Sequence, residues 1–452
     1  MQRVSGARDM TQGSIYKNIL LFALPVFLSQ LFQQLYNTAD SFLVGKFLGT
    51  EALAAVSSSG HLIFLLISFF EGLALGAGIV ISRYFGAGQQ ERVSHAIHTN
   101  LAFGICSGLF LTVFGVAFTP TFLRWMHVDP EVLPAAIEYF RYYFFGALFL
   151  VLYNICRGIM NALGDSRRPL YYLIFSSLLN VGLDWLFLGV FHFGVWSAAM
   201  ATVISQAVSV LLCLRYLTRR NFAFRVSLRN LRFHREILGE IVRYGLPSGV
   251  QNSVIGLANV VLQAQVNSFG KLAMAAFGTQ AKVEGFAFMP ITGFNMALTT
   301  FIGQNLGAKQ YDRAKKGARF GILSAMVLAE LIGVVYFFLA EDAIALFDKT
   351  PEVIRLGAQH ARTLAFFYFL LAFSHSVAAV MRGAGRAFVP MGVMLSVWCV
   401  LRLVYVLCVM HFVGEIEYIY WAYPITWTIS SVIYLFCYLF SDWVHGFERK
   451  KA

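Results

Sequence analysis

The feature that most constrains this chain is a series of long apolar segments separated by short polar loops. Each is long enough for a helix, at about 1.5 Å per residue, to cross a hydrocarbon layer about 30 Å thick. Strands of a membrane barrel would instead be about ten residues long and alternate in polarity. We therefore predict an all-α polytopic membrane protein whose twelve transmembrane helices lie near residues 15–38, 52–80, 94–119, 132–156, 169–191, 194–216, 238–267, 272–303, 317–340, 354–381, 389–412 and 418–441.

Composition supports this class. Of the 452 residues, 58% are hydrophobic and only 13% are charged, whereas about a quarter are charged in a soluble protein. The net charge of +12 comes from basic residues between the apolar segments, so it indicates membrane topology and no nucleic-acid partner. The six cysteines are scattered without metal-ligand spacing. We expect no disulfide framework, no zinc site and no cofactor.

The loops divide by charge. Arginine and lysine are concentrated after every second segment, for example at Arg83 and Arg92, in the linker 218–236 and in the tail Arg449-Lys450-Lys451. The alternate loops carry acidic residues such as Asp129. Because basic loops stay on the cytoplasmic side, we expect a multi-pass plasma-membrane protein (the inner membrane in bacteria) with both termini cytoplasmic and lipids around it.

The two halves of the chain repeat. Apart from a one-residue slip at the first match, equivalent residues are 221 positions apart. Six segments per half place both halves in the same orientation, which predicts two six-helix lobes related by a pseudo-twofold axis along the membrane normal. We expect an N-terminal lobe at 1–217, a cytoplasmic basic linker at 218–236 and a C-terminal lobe at 237–452. The matches are Leu24-Pro25 with Leu246-Pro247, Ala52 to Ala55 with Ala273 to Ala276, Gly86-Ala87 with Gly307-Ala308, and Met160, Gly164 and Pro169 with Met381, Gly385 and Pro390.

One carboxylate lies well inside the fifth segment. Burying Asp184 there costs about 2.5–3.5 kcal/mol on insertion scales. Asn180, four residues earlier, shares its helix face. The repeat places Tyr405 at the position of Asp184, Leu401 at that of Asn180, and Val261 at that of Asp40. Because a purely structural role would be present in both halves, the asymmetry favours a functional site in the first.

Several other residues have two interpretations. Asp40 is either a member of the site or a carboxylate at a wet helix end. Pro25 is either a hinge or a fixed kink, since proline removes a backbone hydrogen bond. Thr202, Tyr139 and Asn154 are individually more typical of packing, and only convergence on Asp184 would make them a site.

Two charges in the second half have no assigned role. Arg402 lies in segment 11, where snorkelling cannot easily reach water, so we expect a polar cleft or a carboxylate partner. Glu284 is two residues from Lys282, and the two side chains do not share a helix face. We therefore do not pair them.

Several motifs together resemble the MATE (multidrug and toxic compound extrusion) transporters over essentially the whole chain. Each motif alone is only modestly specific, but their combination with the doubled six-segment plan is quite specific. The motifs are Leu24-Pro25, residues 37–45 (NTADSFLVG), residues 48–55 (LGTEALAA), Arg157-Gly158, residues 163–169 (LGDSRRP) and residues 381–385 (MRGAG).

The resemblance implies antiport of amphipathic, often cationic drugs against a cation, by rocking of two lobes around a central cleft. The pattern is similar to the DinF-like branch, whose first lobe uses carboxylates in segments 1 and 5. Pro25 matches the proline associated with bending of segment 1. The residues matching the cation-binding positions are Asp40 and Asp184, with Asn180, Thr202, Tyr139 and Asn154 matching the surrounding polar network.

The chain departs from the NorM-like pattern, which has acidic residues in segments 7 and 10. Residues 248–252 (SGVQN) and 372–376 (AFSHS) contain no carboxylate. A second-lobe cation site is therefore not expected.

A carboxylate in a low-dielectric surrounding binds a proton more tightly, and a neighbouring carboxylate strengthens this. We expect H⁺, or Na⁺ held by Asp40, Asn180, Asp184 and Thr202, to compete with drug, in a protein that functions as a monomer. A lipid-linked precursor flippase is the main alternative. A channel is a further alternative. A membrane enzyme is disfavoured because the short loops hold no catalytic motif.

Overall fold

The computed structural model describes residues 8–58, 60–125, 128–220, 222 and 224–448. These residues form helices and loops and contain no strand, so the all-α prediction is confirmed. The tail Arg449-Lys450-Lys451 lies outside the described residues. The first half contains α1 (Ile15–Ser58), α2 (Gly60–Gly86), α3 (Gln90–Trp125), α4 (Leu133–Phe145), α5 (Ala147–Ala162), α6 (Arg167–Asp184), the π-helix π1 (Trp185–Val190) and α7 (Trp196–Leu217).

A short 3₁₀ turn, Leu228–Asn230, lies in the linker. The second half repeats the order of the first, including a π-helix in the fifth segment. It contains α8 (Arg235–Asn267), α9 (Lys271–Gly307), α10 (Tyr311–Ala345), α11 (Pro351–Ala365), α12 (Tyr368–Gly383), α13 (Phe388–Val393), π2 (Met394–Leu401), α14 (Arg402–Phe412) and α15 (Ile416–Phe440).

Among the described residues, eight helices are long and apolar enough to cross a membrane. Two bent pairs, α4 with α5 at 47° and α11 with α12 at 59°, raise this number to ten. The long helices α2 and α8 occupy the remaining two predicted segments. The helices thus follow the twelve segments predicted from the sequence.

The first helix is longer than its apolar segment. It continues from Ile15 to Gly49, where a positive φ of 86° interrupts the helical backbone before Ser58. Glycine adopts this conformation without a steric penalty. Asp40 therefore lies inside a helix, nine residues before its break, and not at the helix end.

The described chain separates into two compact units. Their boundaries differ from those of the two sequence halves, because part of α1 belongs with the second half and part of α8 with the first. One unit comprises Leu28–Gly249 with the residues before Met10, and we call it the amino-terminal unit. The other, the carboxy-terminal unit, comprises Met10–Phe27 and the chain from Val250 onward. Helices α1 and α8 are therefore each divided between the two units. Pro25 lies three residues before the point where α1 passes from one unit to the other.

Glycines permit very close helix contacts within each unit. A methyl group on Gly72 of α2 would lie 2.2 Å from the backbone nitrogen of Gly249 on α8. In the carboxy-terminal unit, a methyl group on Gly293 of α9 would lie 2.8 Å from the carbonyl oxygen of Ala23 on α1. Gly72 and Gly293 are 221 residues apart, the spacing of the repeat. The two halves therefore share this packing device.

Different polar contacts hold the helix ends near the basic loops in the two units. In the amino-terminal unit, the Tyr84 hydroxyl donates to the buried Glu240 carboxylate (2.6 Å), and Arg92 donates to the Tyr84 oxygen (3.2 Å). In the carboxy-terminal unit, Arg313 donates to the carbonyl oxygens of Met10 and Gly13 at 3.1 and 2.8 Å. An ion-linked network fixes α8, whereas backbone carbonyls fix the start of α1.

Candidate cation site

Asp184 is the last residue of α6, and its side chain is completely buried. The π-helix π1 follows it directly. Such wide turns within helices occur frequently at functional positions. Asp40, half-buried on α1, interacts directly with Asp184. The structure thus brings together two carboxyl groups that are 144 residues apart in the chain, within the amino-terminal unit.

Asn180 and Thr202 connect α6 to α7 beside this pair. The amide Nδ2 of Asn180 donates to the Thr202 hydroxyl at 3.4 Å, and that hydroxyl donates to the Ala198 carbonyl oxygen at 3.3 Å. The amide oxygen of Asn180, both Asp184 oxygens and Oδ1 of Asp40 have no hydrogen-bond donor among the described residues. An unsatisfied buried polar group costs about 1–3 kcal/mol, and a charged one more. A proton or cation bound here would remove much of that cost.

The two remaining candidates, Tyr139 and Asn154, make different contacts. Tyr139 is buried and interacts electrostatically with both Asp40 and Asp184. Asn154 donates its amide to the carbonyl oxygen of Leu150 on its own helix at 3.1 Å. No contact between Asn154 and the carboxylates is found among the described residues, so its membership of the site stays a prediction.

Sequence reasoning missed several neighbours of the pair. Tyr36 interacts with Asp40 and lies within hydrogen-bonding reach of Gln206. Tyr143 interacts with Asp40 and with Glu71, and Arg157 interacts with both Tyr36 and Glu71. The signal was present in the spacing, because Tyr36 and Tyr143 each stand one helical turn from a recognised candidate. They extend the site into a polar network with a counter-charge.

The site is rich in oxygen, and Asp40 and Asp184 are its two directly interacting carboxyl groups. No group of three or more His, Cys, Asp or Glu side chains suited to a metal ion occurs in the described part of the chain. A hard cation such as Na⁺ is coordinated by amide and hydroxyl oxygens as well as by carboxylates. The unpartnered oxygens of Asp40, Asn180 and Asp184 therefore fit either a shared proton or a small hard cation.

Arg402, the buried charge of the second half, occupies a different surrounding. Its Nε and Nη2 donate to the Thr426 hydroxyl at 3.3 and 2.8 Å. Glu284 acts on Arg402 electrostatically, but no ion pair between Arg402 and a carboxylate is found among the described residues. The expected polar surrounding is therefore present without a directly bonded carboxylate.

Comparison with known proteins identifies the family of this chain. The MatE family model matches residues 25–186 and 247–408, one match in each half. The chain is 30% identical over 384 residues to the probable multidrug resistance protein YoeA of Bacillus subtilis, covering 83% of each chain. It is 27% identical over 328 residues to the FAD transporter of Shewanella oneidensis, covering 71% of each.

Solved structures share the fold over nearly the full length. A MOP superfamily transporter from Pyrococcus furiosus, described as having a binding pocket of reverse polarity, aligns with a TM-score of 0.89 at 24% identity and covers 98% of this chain and 97% of that one. A MATE transporter in its bent conformation aligns with a TM-score of 0.88 at 25% identity, covering 94% and 95%. Members of this family are transporters and not enzymes. With both repeats matched by the family model and two lobes of six transmembrane segments, the chain belongs to the MatE family of multidrug transporters.

Proposed function

We propose that this protein exports amphipathic, cationic small molecules in exchange for H⁺ or Na⁺. The observation that carries the proposal is the interacting pair of Asp40 and Asp184, in which Oδ1 of Asp40 and both oxygens of the buried Asp184 lack donors among the described residues. Two adjacent carboxylates repel each other when both are ionised, so the site favours one bound positive charge. That charge is either the coupling cation or the cation of the drug, and the two exclude each other.

Pro25 supplies the mechanical part of the proposal. Proline removes one backbone hydrogen bond and weakens α1 locally. It lies next to the point where α1 leaves one compact unit for the other. We infer that cation binding at Asp40, on the same helix, bends α1 at Pro25 and favours drug release. A ligand drives such a change only through its different affinity for the two states.

The finer assignments belong to the same proposal. The two acidic positions on segments 1 and 5 favour the DinF-like branch. The basic loops favour cytoplasmic termini. The repeat and the basic linker favour lobes at 1–217 and 237–452. We propose that one chain suffices for transport, because the carboxylate pair lies within a single unit. Asn154, Thr202 and Tyr139 are proposed to support the pair.

Anionic cargo is a second candidate. One relative is named an FAD transporter. FAD is an aromatic molecule that carries phosphate groups. Lipid-linked precursors also carry phosphate, and the buried Arg402 is the residue that favours an anion. This candidate predicts transport that depends on Arg402 more than on Asp184.

Efflux from proteoliposomes tests the main proposal. Vesicles loaded with rhodamine B ethyl ester, a cationic amphiphile, would be exposed separately to a pH gradient and a Na⁺ gradient. We expect Asp184→Asn and Asp40→Asn to abolish gradient-driven efflux, while Asp129→Asn, which changes an exposed loop carboxylate, behaves as wild type. Full coupled efflux from both site variants would refute the carboxylate mechanism. Transport of a lipid-linked sugar without dye export would favour the flippase, and currents far above carrier turnover would favour a channel.

A further inference from the structure

The second half holds no carboxylate at the positions that correspond to the first-half site: Asp40, Asn180 and Asp184 correspond to Val261, Leu401 and Tyr405. Adding 221 to Tyr139, Asn154 and Thr202 gives His360, His375 and Tyr423. Adding 221 to Asn180 gives Leu401, and the next residue is Arg402. The scaffold is repeated, but the second half has two histidines at the supporting positions and an arginine next to the position of Asn180.

The guanidinium of Arg402 is enclosed by aromatic rings. Its Cζ lies 5.0 Å from the ring centroid of Trp398 and 4.6 Å from that of Tyr423, and only 5% of the residue is exposed. Both distances are within the range of cation–π attraction. The rings attract the guanidinium without neutralising its charge.

Two histidines extend this arrangement on either side. His360 stacks on Tyr420 at 4.3 Å and on Phe277 at 4.9 Å, and its ring lies 5.7 Å from that of Tyr423. His375 lies edge-on to Trp398 at 5.2 Å. Trp398 and Tyr423 therefore link both imidazoles to Arg402 in one continuous basic and aromatic cluster, all within the carboxy-terminal unit.

The polar atoms of this cluster are largely unused. Both ring nitrogens of His360 and Nε2 of His375 have no hydrogen-bond partner among the described residues. The Nε and Nη2 atoms of Arg402 donate to one hydroxyl, that of Thr426, which itself donates to the carbonyl oxygen of Ala422 (2.7 Å). Glu284 balances the charge only from a distance. A cluster that served packing alone would gain stability by replacing such groups with apolar ones.

We propose that the cluster formed by His360, His375, Trp398, Arg402 and Tyr423 is a binding site for the anionic, aromatic part of transported substrates. Arginine binds carboxylate and phosphate through paired hydrogen bonds, and aromatic faces bind planar rings by stacking. The inference rests on the proposed export function and names the substrate class that the second lobe accepts. Substrates with an anionic aromatic group therefore bind better than their neutralised analogues.

A matched pair of dyes tests this directly. Rhodamine B carries a free carboxylate, and its ethyl ester has the same rings and cationic nitrogen without it. In proteoliposomes, Arg402→Gln is expected to raise KM for rhodamine B at least about tenfold, because a hydrogen bond to a charged group is worth that much. KM for the ester should stay within about twofold by the same reasoning, since the ester presents no anion to Arg402.

Arg355→Gln is the control, because it removes an exposed positive charge that pairs with Glu352 in the same half. Equal loss for both dyes, or no change for either, would overturn the inference. If Arg402→Gln does not fold, Arg402→Lys keeps the buried charge but loses the planar fork, and it must still lower the preference for rhodamine B. An unchanged preference in that variant would also contradict the site.

The source of the anion is resolved by the lipid composition. Vesicles of phosphatidylcholine alone are compared with vesicles containing phosphatidylglycerol. If Arg402 instead holds a lipid phosphate, Arg402→Gln would abolish a dependence on phosphatidylglycerol and leave the dye preference intact, which overturns the substrate assignment. Wild type that exports neither dye under any gradient would refute the export function itself. Export of the ester without any preference for the acid refutes only the second-lobe site.

Discussion

The two repeats carry different chemistry in corresponding regions. Among the described residues, Oδ1 of Asp40 and both oxygens of Asp184 lack hydrogen-bond donors in the first repeat. In the second, Arg402 lies one residue from the position equivalent to Asn180, between two aromatic rings and near imidazole nitrogens that have no partner in the described part of the chain. The close helix contacts at Gly72 and Gly293 are nevertheless repeated. The two repeats thus share close helix packing, whereas the side chains of the two proposed sites differ. With both proposed sites, the protein would bind the cationic and anionic parts of a substrate separately.

The largest expected effect concerns the pH dependence of drug binding at the carboxylate pair. If a proton and a cationic drug compete for one site, the apparent Kd of the ethyl ester should rise up to about tenfold for each unit by which pH falls, since proton concentration changes tenfold. Asp184→Asn should remove this slope, and Arg402→Gln should retain it. Fluorescence polarisation in detergent measures both. An unchanged slope in Asp184→Asn would end the contrast between the two sites.

The shared packing is tested by Gly72→Ala and Gly293→Ala. The added methyl would meet backbone at 2.2 Å and 2.8 Å, respectively. Overpacking of this kind costs about 1–3 kcal/mol. We expect both variants to melt at lower temperature in detergent, Gly72→Ala more so because its contact is closer. Gly78→Ala on the same helix meets no atom within 4 Å and serves as the control. Equal stability of all three would show that the repeated contact is not close in solution.

Thr426→Val examines the hydroxyl that orients Arg402. Losing one hydrogen bond to the guanidinium should raise KM for rhodamine B about threefold to tenfold, with no change for the ester. Thr428→Val is the control, because that hydroxyl bonds the Pro424 carbonyl oxygen on the same helix. Identical kinetics for the two variants would mean that the position of the guanidinium does not matter.

His360→Phe gives the smallest expected effect. The ring stacks with Phe277 and Tyr420 are kept, and two unpartnered nitrogens are removed, so stability should be equal or higher. The preference for rhodamine B over its ester should fall by about twofold, the effect of a weak hydrogen bond. A thermal melt and paired transport assays provide both values. Unchanged preference with raised stability would reduce His360 to a packing residue.

The segment count, the repeat and the costly charge at Asp184 could be predicted from the sequence, because hydrophobicity and helix length are local properties. The position of Asp40 along the chain left two interpretations open, a member of the site or a carboxylate at a wet helix end. The structure instead places it nine residues inside a helix that extends to Gly49. Tyr36 could have been found from its spacing to Asp40, whereas Gln206 joined the network through packing between helices.

The second cluster and the division of α1 and α8 between the compact units became visible only in three dimensions. The repeat aligns Leu401 with Asn180, so Arg402 falls one residue away. The π-helix Met394–Leu401 immediately before it has a wider turn than an α-helix, so a regular helical period does not predict which face Arg402 occupies. No periodic pattern in the sequence records that change of phase. Spacing along a chain specifies which residues share a helix face, but the neighbours of that face depend on how the helices pack.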